Sequence, residues 1–300
     1  RTLLQIREYQ VVNTAFTDTY LPKKYRFTGH ETFPFRYTWP PKGVRGVLEH
    51  PDLFFREDAM VVLGVGKNMV SSIRHWCETL GLYEKAEHGE YVVTELGVKL
   101  FGPEGWDPYM EAPATLWLLH WQLTRDVENA STWYLAFTRW TALEFRKEHL
   151  LEWLWSLKPE APATRLTKNS LKRDVDVFLR TYIPAKVTAT RPQEDTFDCP
   201  LIELGLINEI EKGVYAFVRG SKPSLPDEIF IYALLDYWFR LAPDQVVLSF
   251  EQLLHGPGAP GGAFKLAEND LYDRLTRLPR WTHLHYDDTA GLRQVFRDGL

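Results

Sequence analysis

Between Arg56 and Val93 the sequence carries its structural signals in an order that few folds use. A short apolar helix, Arg56 to Leu63, runs into Gly64-Val-Gly66, and a longer amphipathic helix follows from Lys67 to Leu80. Val70, Ile73, Cys77 and Leu80 recur there at helical spacing, so one face of that helix is apolar. Gly81 supplies the residue that most readily takes the left-handed conformation ending a helix. Leu82-Tyr83-Glu84 and Tyr91-Val92-Val93 then flank His88-Gly89 as a hairpin. Helix, turn, helix, hairpin is the order of a winged helix-turn-helix.

The order recurs. Lys168-Asn169 opens a helix to Tyr182 as Lys67-Asn68 opens the first, with Leu171, Val175, Phe178, Leu179 and Tyr182 as its apolar stripe. Gly205-Leu206 begins a second hairpin that turns at Lys212-Gly213, after an irregular proline-bearing insertion at 183–203. A weaker third copy closes the chain. It reads as a short helix Phe250 to Leu254, the glycine-proline tract Gly256 to Gly262 and a helix Ala267 to Leu278. An extended Trp281 to Tyr286 and a final turn of helix from Leu292 to Phe296 complete it. Asp227 to Phe239 is an apolar core helix between copies. The middle of the chain reads as three amphipathic helices near 112–124, 131–146 and 147–157. Seven of the 11 tryptophans (Trp106, Trp117, Trp121, Trp133, Trp140, Trp153 and Trp155) fall in this region. They read as a bulky helical core in preference to a stacking platform for single strands.

The expected fold class is therefore mainly α with small antiparallel β-hairpins, as tandem winged helix-turn-helix modules around a Trp-rich helical centre. The expected divisions are an arm and aromatic loop (1–43), a first winged-helix module (44–103), the Trp-rich segment (104–163), a second module (164–222) and a C-terminal winged-helix-like segment (223–300). With 45% hydrophobic and 25% charged residues, disordered and low-complexity classes are excluded. No apolar run approaches a bilayer span and no secretory leader opens the sequence. Cys77 and Cys199 lie outside any CxxC and build no disulfide framework. A reducing cytoplasm is the expected compartment, with no membrane partner.

The net charge of −5 argues against indiscriminate nucleic-acid binding, so the clustering of basic residues decides. From Thr164 to Lys186 six basic residues (Arg165, Lys168, Lys172, Arg173, Arg180 and Lys186) stand against only Asp174 and Asp176. Off its apolar stripe the second helix presents Lys168, Asn169, Lys172, Arg173 and Arg180. The first presents Lys67, Asn68, Ser71, Arg74 and His75. Double-stranded DNA asks for this set: a helix end for the major groove, cations for flanking phosphates, and Asn or Arg for base edges. A solvated face on a protein-interaction module is the plainer alternative.

Gly64-Val-Gly66-Lys67-Asn68 departs from phosphate-loop spacing, and no nucleotide or organic cofactor is expected. Gly29-His30-Glu31-Thr32-Phe33 with Arg36 places an imidazole, a carboxylate and a guanidinium in one aromatic loop. Two readings fit. The groups act as acid, base and charge stabiliser on a phosphodiester, with or without a divalent metal. Alternatively, and more economically, they satisfy loop backbone while Phe27, Phe33 and Phe35 bury. His283, His285 and Asp287 alternate along a strand, which more often carries polar groups outward than ligates a metal. His120, on an otherwise apolar helix, reads as a hydrogen-bonded core histidine.

Several stretches are similar to one bacterial family long catalogued as a domain of unknown function. They include Phe27-Thr-Gly-His-Glu-Thr-Phe33, Val62-Leu-Gly-Val-Gly-Lys-Asn-Met-Val70, Ala114 to Trp121, Ser170 to Tyr182, Asp198 to Leu206, Lys222 to Pro226, Leu254 to Gly258 and Thr289 to Val295. The SspB-type component of DNA phosphorothioation systems belongs to that family, and the matching segments run from Phe27 to Phe296. The resemblance implies an anti-phage role in which the protein binds DNA and nicks it. Partner enzymes would then exchange a non-bridging phosphate oxygen for sulfur; these are a cysteine desulfurase, an ATPase and an ATP-pyrophosphatase-like sulfurtransferase. Nicking would draw on Mg2+ or Mn2+. No catalytic residue comes with the resemblance, so His30, Glu31 and Arg36 stay local candidates. A homodimer is one assembly left open. The alternative function is a non-catalytic winged-helix DNA-binding adaptor or transcription regulator.

Overall fold

Two prolines open the first helix. Pro40 and Pro41 occupy its first turn, where a missing N–H has no intrahelical acceptor to lose, and α1 runs Trp39–Glu49. The structure is a computed structural model that describes residues 25–86, 89–157, 166–184 and 199–298. After a 3-10 turn at Leu53–Phe55 come α2 (Ala59–Leu63), α3 (Lys67–Thr79) and the antiparallel pair β1 (Tyr83–Lys85) and β2 (Tyr91–Val93), with Tyr83 opposite Val93. Gly81 does end α3: its φ is +69°, and the Leu82 N–H reaches back to the Cys77 carbonyl at 2.9 Å. His88, expected in the turn between these strands, lies outside the described residues. The next helix, α4 (Glu95–Phe101), is capped by Thr94, whose hydroxyl accepts the Gly97 N–H at 3.2 Å. That helix sits so close on the hairpin that a Cβ at Gly97 would fall 2.1 Å from the Leu82 carbonyl oxygen.

Helix α5 (Pro113–Thr124) has no solvent face; every residue from Thr115 to Thr124 is buried. An all-apolar helix is stable in water only when neighbours surround it, and α5 packs against helix α6 (Ser131–Thr138), α9 (Asp227–Leu241), α11 (Pro260–Ala263) and a 3-10 turn at Pro200–Leu204. Its polar atoms are answered internally. The His120 Nε2–H donates to the Ala263 carbonyl and the Tyr182 hydroxyl donates to its Nδ1, both at 2.8 Å. Burial pulls this imidazole down to about 4, so it stays neutral. The Trp121 indole donates to Asp236, which also pairs with Arg125 and Arg240.

Two further units share one connectivity. Helix α6, β3 (Glu144–Arg146), α7 (Lys147–Ser156), α8 (Lys168–Tyr182), β4 (Ile207–Glu211) and β5 (Val214–Phe217) form a sheet in the order β3-β5-β4. The third unit comprises α9, β6 (Val247–Ser249), α10 (Phe250–His255), α11, α12 (Glu268–Thr276), β7 (Leu284–Asp287) and β8 (Gln294–Arg297), in the order β6-β8-β7. In each, the strand before the helices pairs with the last strand of the hairpin. The first unit has the 3-10 turn Leu53–Phe55 at that point in the chain.

Two expectations are corrected. The helix expected over 131–146 ends at Thr138, and Glu144–Arg146 is a strand. Phe145 alone of its three residues is buried, an alternation of period two, and its ring stacks on Phe217 at 5.1 Å. The final helical turn expected at Leu292 to Phe296 is instead β8, the central strand of its sheet. Leu292, Val295 and Phe296 fall at helical spacing by coincidence, and pairing on both edges overrides the local pattern. Of the clustered tryptophans, Trp117, Trp121 and Trp133 are buried, Trp140, Trp153 and Trp155 are half-buried, and Trp106 is 70% exposed beneath the Lys99 amine. Among the described residues no helix is long and apolar enough to cross a membrane.

Replacing Phe145 by Ala should cost about 3–5 kcal/mol in urea unfolding, as expected for a buried aromatic. A loss below about 1 kcal/mol would mean that β3 does not anchor the sheet.

Candidate nucleic-acid interface

The exposed face of α8 begins with a capping box. The Thr167 hydroxyl accepts the Ser170 N–H at 3.0 Å, and the Ser170 hydroxyl accepts the Thr167 N–H at 3.1 Å. Leu171, Val175, Phe178 and Tyr182 bury one side of the helix, and Lys168, Asn169, Lys172, Arg173 and Arg180 stand exposed on the other. The two acids of this stretch are both engaged. Asp176 pairs with Lys147. Asp174 is 1% exposed and accepts from the His30 Nε2–H at 2.7 Å and from the Thr132 hydroxyl. The outer face is thus more positive than sequence arithmetic suggests. Lys168 pairs with Glu152 at the surface, whereas Lys172 and Arg173 have no acidic partner among the described residues. Arg165 and Lys186 lie outside the described residues.

On α3, Lys67 and Asn68 are exposed and Ser71 and Arg74 half-buried. His75 corrects the sequence reading. Its helical position is one turn beyond Ser71, yet it is buried beneath the aromatic loop. The Arg26 guanidinium donates to its Nδ1 at 3.2 Å, and a Cβ on Gly29 would fall 2.4 Å from the same atom. Burial first, then the Arg26 charge, holds this imidazole well below the usual histidine range. His75 is therefore a neutral interior group without access to a phosphate.

The loop that covers it ties α3 to α8. The His30 carbonyl accepts the Ser72 hydroxyl of α3 at 3.0 Å, while its ring reaches Asp174 of α8. Its Nδ1 accepts the Thr32 N–H at 3.1 Å, which places the ring proton on Nε2. The imidazole stacks on Trp76 and meets the Trp133 ring edge-on. Burial pushes the Asp174 carboxyl up, against the downward pull of its bond to His30. Glu31 and Thr32 take left-handed backbone, φ +49° and +65°, a conformation costly for residues with a Cβ. The turn is held on both sides: Thr32 donates its N–H to His30, and its carbonyl accepts the Arg180 guanidinium.

The three residues singled out in this loop occupy separate environments. His30 is interior, Glu31 is exposed at the tip, and the Arg36 guanidinium lies 5.5 Å from the Trp39 ring centre. The structure does not gather them into one constellation. The partners that it does gather, Asp174 and Thr132, lie 144 and 102 positions from His30, and no local motif announces them. His283 and His285 are exposed and flank Asp298, the latter at 3.0 Å. Among the described residues no three His, Cys, Asp or Glu side chains converge where they would hold a metal ion.

A family model described as a protein of unknown function, DUF4007, matches residues 27–299. A magnesium ion-bound SspB crystal structure is 31% identical with a TM-score of 0.80, the match covering 91% of this chain and 86% of that one. A second SspB crystal structure is 32% identical with a TM-score of 0.78, covering 90% and 83%. No curated protein matches the sequence significantly.

Asp174→Ala leaves the His30 Nε2–H and the Thr132 hydroxyl without their buried acceptor and should cost about 3–5 kcal/mol. Amide exchange at Thr32 and Phe33 should accelerate with it. Unchanged exchange there would show that the pair does not hold the loop.

Proposed function

Because this chain belongs to the DUF4007 family, with SspB among its relatives, we propose that it is the DNA-docking, DNA-nicking component of a bacterial phosphorothioation system. One observation carries the docking: the basic face of α8, where Lys172 and Arg173 have no acidic partner among the described residues of a chain of net charge −5. Helix, strand, helices and hairpin, with the first strand paired to the last, is winged helix-turn-helix order. In that reading α8, and α3 in the first unit, whose sheet has only the hairpin strands, would be the groove-entering helices. Lys168, Lys172 and Arg180 meet phosphates, and Asn169 and Arg173 reach base edges. Lys67 and Asn68, with Ser71 and Arg74 behind them, extend the contact along α3. The pair formed by His30 and Asp174 sets the spacing of the two helices.

Nicking requires water to attack phosphorus while charge builds on the phosphate oxygens. A divalent ion supplies that stabilisation, and Mg2+ is commonly held by few carboxylates together with phosphate and water. Glu31, exposed next to Thr32, whose carbonyl accepts from Arg180 of α8, is the carboxylate that would take part. The cysteine desulfurase, ATPase and sulfurtransferase of such a system are the corresponding partners. One observation favours the rival reading, a non-catalytic adaptor: both ring nitrogens of His30 are engaged inside the protein.

Replacing Lys172 and Arg173 together by Ala should lower affinity for every duplex sequence and reduce the salt slope by about two. An unchanged slope would move the interface elsewhere. Incubation with supercoiled plasmid and Mg2+ or Mn2+ separates the two readings. Open-circular product that disappears in Glu31→Ala supports nicking through the loop, whereas intact plasmid with a clear gel shift supports the adaptor.

A further inference from the structure

Away from α3 and α8, a cleft of about 560 Å3 opens between the end of α6, the exit of β5 and the α10–α11 region. Three basic side chains line it. Arg139 follows α6, Arg219 follows β5, and Lys265 follows α11. Both arginines are exposed, and neither has an acidic partner among the described residues. The one carboxylate in the lining, Glu251, is already shared between Arg293 at 3.3 Å and His255 at 4.0 Å.

Lys265 is the unusual member. It is 7% exposed, donates to the Phe137 carbonyl at 2.7 Å and stands 4.0 Å from the centre of the Phe217 ring. A neutral carbonyl and an aromatic face are weak compensation for a buried ammonium, which ordinarily takes a carboxylate partner. Burial, with the nearby Arg219 adding to it, brings the amine down to about 7 from its ordinary value of 10.5. The protein has concentrated positive charge around a cavity whose one carboxylate, Glu251, is engaged by Arg293 and His255, so Arg139, Arg219 and Lys265 have no acidic partner among the described residues.

We propose that this cleft binds a phosphate-bearing anion, held by the two guanidinium groups of Arg139 and Arg219 and by the ammonium of Lys265. Guanidinium forks match phosphate oxygens in bidentate geometry, and a buried lysine adds a charge that the anion itself stabilises. The volume admits a group the size of a nucleotide. The phosphate comes either from a nucleic-acid backbone or from a small free compound, and the recognising chemistry is the same. The inference does not rest on docking by α8.

Titrating the full chain with sodium pyrophosphate at constant ionic strength should give saturable binding in a calorimeter. The double variant Arg139→Ala, Arg219→Ala, in which only exposed side chains change, should bind at least about tenfold more weakly, the loss of one or more charge-assisted bonds. Lys265→Met should weaken binding similarly where it folds. Lys172→Ala, Arg173→Ala should leave pyrophosphate binding intact, which separates this cleft from the α8 face. Absence of saturable binding by the unaltered protein, or equal affinity in the double arginine variant, overturns the proposal. Loss of duplex affinity in that variant assigns the phosphate to DNA; unchanged duplex affinity with lost pyrophosphate binding assigns it to a small free phosphate compound.

Discussion

A carboxylate does not remain in an apolar interior alone, and the partners of Asp174 organise much of the molecule. It sits on the inner side of α8 and draws in His30 from the aromatic loop and Thr132 from α6. The loop in turn holds α3 through Ser72 and Trp76, whose indole donates to the Phe33 carbonyl at 2.8 Å. Four elements thus meet around one buried acid, and the relative position of the two basic helices depends on it. Burial of Asp174 and the pairing of Asp176 with Lys147 also leave Lys172 and Arg173 without an acidic partner among the described residues on the outer face of α8.

Around this junction the hydrophobic framework is unusually helical at its centre. A helix buried on every side cannot be satisfied by one neighbour, so α5 collects contacts from three other helices and the Pro200–Leu204 turn. The internal hydrogen bonds of His120 and Trp121 answer the polar atoms that those two side chains bring into that centre. Bulky aromatics fill the remainder: Phe137 touches His120, Phe178, Tyr182 and Phe217, joining α5, α6, α8 and β5 in one cluster.

What the sequence disclosed follows from the range of each signal. Stripes such as Val70, Ile73 and Cys77, or Leu171, Val175 and Phe178, act within a few turns, and both helices stand where the periodicity puts them. Gly81 marked a helix end because its role is set by its own φ. The strands at Glu144–Arg146 and Gln294–Arg297 were not legible, since three or four residues become a strand only through partners far along the chain. The site divides the same way. Exposure of Lys172 and Arg173 follows from helical phase, but the concealment of His75 depends on a loop more than 40 positions earlier. Nothing near His30 foretells Asp174, and nothing near Lys265 foretells Arg139.

The pairing of β3 with β5 carries a consequence for how the chain matures. Glu144 is opposite Ala216, so the edge strand of the second unit has no mate until some seventy further residues exist. Such sequence separation raises contact order and slows assembly. During synthesis Phe145 must wait for its partners Tyr215 and Phe217 until the hairpin emerges from the ribosome. That interval, repeated when β6 waits for β8, is when this protein is most open to aggregation and to help from a chaperone.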